Sequence, residues 1–487
     1  MNIHELISIL PFYQSYGTIP DIQIEGIEMD SRKVNSNFLF VCIEGFHVDG
    51  HQFAPHAVER GACAIISQKP LDIQSVPVIV VNDTVKSLAM IADKFYQSPT
   101  RSLRLIGITG TNGKTSISYM VEKMFQNIGE ITGLIGTIQM RIAEKEYDVR
   151  NTTPDSLFLQ ESFHKMEKSG VSTAVMEVSS HALDLGRVFG CDFDIAVFTN
   201  LTQDHLDYHQ TMEEYFRAKS MLFSQLGNTY DKDPKFAIIN LDDSYGEKLL
   251  RCTAQPVITY GLEAIADIVA KDIVYEPTGT TFTIRTPIGE EEISTPLVGK
   301  FNVYNILAAT GVGLAAGISL PVMKKTFEQL SGVRGRFESV LTGQSFGVII
   351  DYAHTPASLE NVLETAKEMT NGKIHVVIGC GGDRDRTKRP KMAQVAIKYG
   401  DIAIFTSDNP RSEDPQDIVN DMISGINGDN YIVELDRKKA IEKAILAAKP
   451  DDLVLIAGKG HETYQEINGN VYPFDDRAIA LQVLRDL

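Results

Sequence analysis

The stretch that decides the reading of this chain is Leu103-Arg104-Leu105-Ile106-Gly107-Ile108-Thr109-Gly110-Thr111-Asn112-Gly113-Lys114-Thr115-Ser116. Leu103 to Ile108 is a mostly apolar run that predicts a buried strand. Ile117, Val121, Met124, Phe125 and Ile128 follow at the spacing of one helix face. A glycine-rich turn between a strand and a helix is the setting a phosphate loop needs. Gly110 and Gly113 let the backbone approach a ligand closely, and amides at a helix N-terminus point toward an anion. Lys114 supplies a mobile charge for the outer phosphates, and Thr115 or Ser116 a hydroxyl for Mg²⁺. The spacing departs from G-x4-G-K-[ST], because Ile108 stands where the first glycine would be. The alternative is a glycine turn with a surface lysine.

At 487 residues the chain predicts about three domains, and 43% apolar residues suffice to build their cores. A net charge of −18 argues against nucleic acid or an anionic membrane as the main partner. Five scattered cysteines without a CxxC motif read as a reducing cytosol. No basic segment followed by an apolar core opens the chain, and no apolar run is long enough to span a membrane, so a cytoplasmic protein is expected.

Outward from the phosphate loop, strands and helices alternate. The pattern predicts an α/β chain: a small α/β domain over 1–98, a central domain with a mainly parallel sheet over 99–332, and a Rossmann-like domain over 333–487. Asp30-Ser31-Arg32 and the loop Gly45 to Phe53 are polar turns of the first domain. In the central domain, Ala174–Val178 ends at Glu177-Val178-Ser179-Ser180-His181, and Ile195–Phe198 ends at Asn200 to His205. In the last domain four strands open into Asp351 to His354, Gly379 to Arg384, Asp408-Asn409-Pro410-Arg411 and Gly458-Lys459-Gly460-His461-Glu462. Ligands in such sheets bind at the carboxyl ends of strands, so two sites are expected.

Thr211 to Glu214 has a capping-box pattern, and the helix it starts puts Met212, Tyr215, Phe216, Leu222 and Phe223 on one face together with Lys219. A buried ammonium is costly without a partner. Lys219 therefore snorkels to water, pairs with an acid, or is modified; a lysine carbamate would offer oxygens suited to Mg²⁺. Glu177 is a hard oxygen ligand for the same ion. His205 is an unusual one and reads equally as a structural hydrogen-bonder.

Taken in order, TGTNGKTS (109–116), NTTPD (151–155), MEVSSHAL (176–183), NLTQDHLDYH (200–209), YFRAKSMLF (215–223), GKFNVYNILAA (299–309), GVRGRFE (332–338), DYAHTP (351–356), GCGGDRDRTKRP (379–390), DNPR (408–411) and GKGHE (458–462) resemble the Mur ligases over essentially the whole chain. The resemblance extends to the members that add the third amino acid to UDP-N-acetylmuramoyl-L-alanyl-D-glutamate, in cytoplasmic peptidoglycan precursor synthesis. It implies a UDP-sugar-binding domain, a P-loop ATPase and a Rossmann-like amino-acid-binding domain, acting as a monomer. It implies that Gly110, Thr111, Asn112, Gly113, Lys114, Thr115 and Ser116 hold the ATP phosphates, with Asn305, Arg336 and Asp351 on the nucleotide. It gives Thr115, Glu177, His205 and carbamylated Lys219 to two Mg²⁺ sites. Lys114, Glu177, His205 and Lys219 form the catalytic set. Ser31, Asn151, Thr152, Thr153, Ser179 and Arg187 fall to the UDP-muramoyl-dipeptide, and Arg384, Asp408, Asn409, Pro410, Arg411, Gly458 and Glu462 to the incoming amino acid.

The resemblance implies an acyl phosphate on the D-glutamyl carboxylate, attacked by the incoming amine, with His354 a possible helper. DNPR is the form found in members that add meso-diaminopimelate, and Arg411 offers a planar fork for its distal carboxylate, which L-lysine lacks. Instead, Arg411 could pair with Glu413 or Asp414. The rival functions are the L-lysine-adding ligase, a folylpolyglutamate synthetase and a non-catalytic P-loop binding protein.

Overall fold

The computed structural model describes residues 1–45, 48–149, 151–230, 234–276, 279–330, 332–340, 342–426 and 428–487. Two residues of the Gly45–Phe53 loop, Phe46 and His47, lie outside them.

Three sheets follow one another along the chain. The first has five strands between Gln14 and Val80, parallel except at the Gln14–Tyr16 edge. It docks on the next unit through its helix Thr84–Phe95, whose apolar face meets Leu157 of the helix Ser156–Lys168.

The second sheet has eleven strands. Its centre is parallel, with Arg104–Thr109 between Thr173–Glu177 and Ile195–Phe198. Side chains alternate across a strand, so each face of Arg104–Thr109 feeds a different core. Ile106 and Ile108 pack with the helices Lys114–Asn127 and Lys300–Ala315, whereas Leu105 packs with Ser156–Lys168 and Met212–Ser224. Helices therefore cover both faces, as expected for parallel strands. Antiparallel strands extend both edges: Met140–Ile142 and Lys145–Tyr147 on one side, Gly279–Thr286 and Gly289–Thr295 on the other. The alternating pattern did not announce these.

The third sheet has six strands. The four strands expected to open into polar loops lie side by side in the order Gly347–Asp351, Leu453–Ala457, Ile374–Ile378, Ile402–Phe405, all parallel. Their loops therefore converge on one sheet edge. A separate hairpin, Tyr464–Ile467 with Asn470–Pro473, stands beside them. Among the described residues no helix is long and apolar enough to cross a membrane.

Candidate active site

The phosphate loop is held open by its neighbour strand. Gly110 has φ +145°, and a Cβ there would lie 1.8 Å from Thr199 Oγ1; Gly113 has φ +89°, and a Cβ there would lie 2.6 Å from Asn305 Oδ1. Only glycine fits either position. Thr111 N–H donates to the Asn200 carbonyl at 2.8 Å, Asn112 N–H to Asn200 Oδ1 at 2.9 Å, and Thr199 Oγ1 to the Asn112 carbonyl at 2.6 Å. Lys114 opens the helix Lys114–Asn127 and folds back, its Nζ donating to the Gly110 and Thr111 carbonyls at 2.8 Å each. Burial depresses its pKa, with Glu177 opposing that shift.

Beside the loop, the Glu177 carboxylate is fully enclosed. Oε2 accepts the Thr115 hydroxyl at 2.9 Å and the Thr137 hydroxyl at 3.0 Å, while Oε1 accepts Thr137 N–H at 2.8 Å. A hydroxyl and a carboxylate form a hard-oxygen pair suited to Mg²⁺, and Oε1 keeps lone-pair capacity for one. The NTTPD turn docks here. Thr152 contacts the Thr137 hydroxyl at 3.1 Å, and Thr153 donates to the Glu177 carbonyl at 2.8 Å while accepting Ser179 N–H at 3.0 Å. Arg187 donates to the Thr153 carbonyl at 3.1 Å. Four expected substrate residues thus cluster next to Glu177. Asn151 adjoins Thr152 and is exposed. Ser31 lies in the first unit, buried against His56 Nδ1 at 3.0 Å.

Lys219 is buried. Its Nζ donates to the Gly110 carbonyl at 2.9 Å and lies 4.7 Å from the Tyr215 ring centre. Burial pushes its pKa well below the ordinary lysine value, and nearby Lys114 pushes the same way. Of the alternatives open in the sequence, burial rules out snorkelling, and among the described residues no acid forms an ion pair with Lys219. The capping box is half realised: Thr211 Oγ1 accepts Glu214 N–H at 3.2 Å, but the Glu214 carboxylate binds Arg217 Nε at 2.6 Å instead of returning to the cap.

His205 has φ +54° and pairs with Asp204 at 3.4 Å. Its ring meets His181 edge-on at 4.9 Å, and burial lowers its pKa to about 4. A neutral imidazole can ligate a metal. Among the described residues, however, no three His, Cys, Asp or Glu side chains converge as a metal-holding group.

A cleft of about 370 Å³ continues from the loop toward the third sheet, lined by Gly113, Asn305, Arg336, Asp351, Tyr352 and His354 among others. Arg336 reaches back to Thr115 Oγ1 at 3.3 Å and lies over the Tyr352 ring. Asp351 accepts Phe337 and Ala353 N–H at 2.7 Å each, and burial raises its pKa to about 6. His354 Nδ1 contacts the Tyr352 carbonyl at 2.9 Å; burial lowers its pKa.

The third sheet's loops bring together a second polar cluster. Asn409 Nδ2 donates to Glu462 Oε2 at 2.9 Å, and the fully buried Lys459 donates to Asn409 Oδ1 at 2.9 Å and Glu462 Oε2 at 3.1 Å. Burial raises the Glu462 pKa, opposed by Lys459. Gly458 passes close to Asp408, whose Oδ2 a Cβ there would meet at 2.8 Å. Arg384 is exposed at the rim. Pro410 closes the DNPR turn, its carbonyl accepting Glu413 N–H at 3.0 Å. Arg411 pairs with neither expected acid. Glu413 is taken by the buried Arg389 at 2.7 Å and Asp414 caps a helix, so Arg411 Nε turns to Glu466 Oε2 at 3.1 Å. Lys459 and Glu466 were missed as site residues. Lys459 sat inside a motif already in view, and Asn468-Gly469 was the hairpin signal that would have exposed Glu466.

Three family models match: Mur ligase family, catalytic domain, over 23–98; Mur ligase middle domain over 108–313; and Mur ligase, glutamate ligase domain, over 335–460. A UDP-N-acetylmuramoyl-L-alanyl-D-glutamate–2,6-diaminopimelate ligase of Bacillus cereus is 54% identical, covering 99% of this chain and 98% of its own. The enzyme of that name from Listeria monocytogenes is 52% identical over 99% and 98%. A solved structure of a ligase of that name superposes with a TM-score of 0.71 at 35% identity, covering 99% of this chain and 98% of that one. The structure of MurF from Thermotoga maritima in complex with ADP, at TM-score 0.64 and 19% identity over 94% of this chain and 96% of its own, is a likeness of fold.

Proposed function

The chain belongs to the Mur ligase family, and on that premise we propose that it joins meso-diaminopimelate to the D-glutamyl carboxylate of UDP-N-acetylmuramoyl-L-alanyl-D-glutamate, driven by ATP. Full-length similarity to diaminopimelate ligases supports this reading. So does the observation that carries it: Arg411, held by Glu466, is tied through the Glu466 N–H to the Asn409–Glu462–Lys459 network, which brings a cation for a carboxylate and a carboxylate for an ammonium into one loop cluster.

The domain limits proposed are 1–98, 99–332 and 333–487. Ser31 serves the UDP-sugar end of the substrate. Thr152, Thr153, Ser179 and Arg187, with Asn151 at the turn, hold its peptide end beside Glu177. The loop Gly110 to Ser116 binds the ATP phosphates, and Asn305, Arg336 and Asp351 the rest of the nucleotide. Mg²⁺, held by Thr115, Glu177, His205 and a carbamate on Lys219, would neutralise the crowded phosphate and carboxylate charge. Lys219 is suited to that modification, because burial pushes its pKa down and so favours the free amine, the form that reacts with CO₂.

An oxygen of the D-glutamyl carboxylate attacks the γ-phosphorus, the β–γ bond of ATP breaks and ADP leaves, giving an acyl phosphate, a far better electrophile. Lys114 swings from its loop carbonyls onto the transferring oxygens. The amine of the acceptor then attacks the acyl carbon and phosphate leaves. Closure of the third domain across the cleft keeps water from the acyl phosphate. ATP and UDP-linked substrates place the reaction in the cytoplasm, with the chain acting as a monomer.

The test is phosphate release from ATP with the UDP-muramoyl-dipeptide, Mg²⁺ and either meso-diaminopimelate or L-lysine, the product confirmed by mass. Turnover with diaminopimelate alone is expected. Turnover mainly with lysine would keep the ligase and remove the acceptor assignment.

A further inference from the structure

Arg411 is a left-handed residue, φ +52°, and the hairpin at Tyr464–Ile467 clamps it from both sides of its backbone. Its N–H donates to the Glu466 carbonyl at 3.0 Å, and its own carbonyl accepts Asn468 N–H at 2.7 Å. The side chain is held too, Nε by Glu466 Oε2 at 3.1 Å and Nη1 by the Gly382 carbonyl at 2.8 Å. Among the described residues Nη2 makes no hydrogen bond. Glu466 also donates its N–H to Asn409 Oδ1 at 3.1 Å, so one residue fixes two members of the pocket.

A guanidinium has five N–H donors and can meet a carboxylate two-pronged along its side or across its end. With Nε on Glu466 and one Nη1 hydrogen on the Gly382 carbonyl, the donors left for a ligand are the second Nη1 hydrogen and the two on Nη2. Without that hold, a partly exposed arginine has many rotamers and loses side-chain entropy when a ligand fixes it. A fixed fork meets a distal carboxylate with that entropy already lost, and it meets a lysine ε-ammonium as a fixed like charge.

We propose that Glu466 is a positioning residue that sets acceptor preference, by splinting Arg411 so that the end of its guanidinium faces the amino-acid pocket. This rests on the ligase reading above and deepens it, since it assigns discrimination to a side chain outside the DNPR and GKGHE motifs.

The experiment measures KM and kcat for diaminopimelate, L-lysine, ATP and the UDP-muramoyl-dipeptide in the full-length wild type, Glu466→Ala, Glu466→Gln, Arg411→Ala and the Glu466→Ala/Arg411→Ala double variant. Glu466→Ala is expected to raise KM for diaminopimelate by roughly tenfold, the equivalent of about 1.4 kcal/mol, with kcat and the other two KM values unchanged and the preference over lysine reduced. Glu466→Gln retains an acceptor for Nε and is expected to stay within about threefold of wild type. In the Arg411→Ala background, removing Glu466 should add nothing, because the splint then has nothing to hold. Turnover of diaminopimelate by wild type with an unchanged KM in Glu466→Ala overturns this proposal alone. So does a rise in all three KM values together, or a further loss in the double variant. Failure of wild type to use diaminopimelate overturns the acceptor reading and this proposal with it.

Discussion

Among the described residues two lysines are buried, Lys219 and Lys459, and the molecule keeps them in opposite ways. Lys459 lies between the Glu462 carboxylate and the Asn409 amide oxygen, with the Tyr464 ring 5.5 Å away. Lys219 has one carbonyl and the face of Tyr215, and the larger charge effect on it comes from another cation, Lys114, with Asp204 opposing it without contact. Burial with a counter-charge makes a structural strut. Burial without a contacting counter-charge lowers the pKa and favours the free, nucleophilic amine. Equal burial therefore says little about role, and the partners decide it.

The sharpest way to break that contrast is at Lys219. Replacement by Ala or by Arg should each lower kcat by on the order of 10³-fold, the scale of losing a preorganised charge at a transferring phosphoryl group. Arginine keeps a cation but cannot form a carbamate, so retained activity in Lys219→Arg would end the carbamate reading. Labelled bicarbonate should give a carbamate carbon signal in wild type and none in either variant. Lys459→Met should do less to chemistry and more to the acceptor pocket. It leaves the Glu462 carboxylate without its counter-charge, so stability should fall by about 3 kcal/mol in thermal unfolding and the diaminopimelate KM should rise at least about tenfold, with the ATP KM unmoved. If the ATP KM moves equally, Lys459 is not a local strut.

Asp351 carries the contrast to a carboxylate. It is enclosed, and burial raises its pKa to about 6 against the opposing pull of the Arg336 guanidinium. The folded carboxyl then holds its proton more tightly than the unfolded chain does. Its contribution to stability therefore declines as pH rises from 3.8 to about 6. Nucleotide affinity should run the other way, because the ionised form is the better acceptor. The Kd for ADP should rise by up to about tenfold per unit as pH falls below 6, and Asp351→Asn should remove the inflection. The smallest effect belongs to the helix that carries Lys219. Glu214 pairs with Arg217 on the exposed face, so Glu214→Gln should change stability by less than about 0.5 kcal/mol. Thr211→Ala, which removes the cap, should cost about 1 kcal/mol. Larger values would mean that the helix is held by its surface and not by Tyr215, Leu222 and Phe223.

Much of this was open to the sequence, and for a local reason. Strand, glycine turn and helix at 104–127 are fixed by neighbours in the chain, and so is the Thr211 cap. The parallel strands of the third sheet were equally plain, because strands buried on both faces read as continuous apolar runs. The antiparallel edges at 140–147 and 279–295 were not, since short half-exposed strands carry a weak pattern. The Glu214 half of the capping box failed because Arg217, one turn on, competes for the same carboxylate.

The sequence by itself determined three α/β units, a phosphate loop on the central one, and polar loops along one edge of the last, because each is written in periodicity and in residues that only certain backbones accept. The tertiary structure decided the partners. It gave Arg411 to Glu466, 55 positions away, handed Glu413 to Arg389, and left Lys219 facing Gly110 across 109 positions. Side-chain pairing at such separations depends on which loops meet at a sheet edge, and spacing along a chain does not encode that meeting.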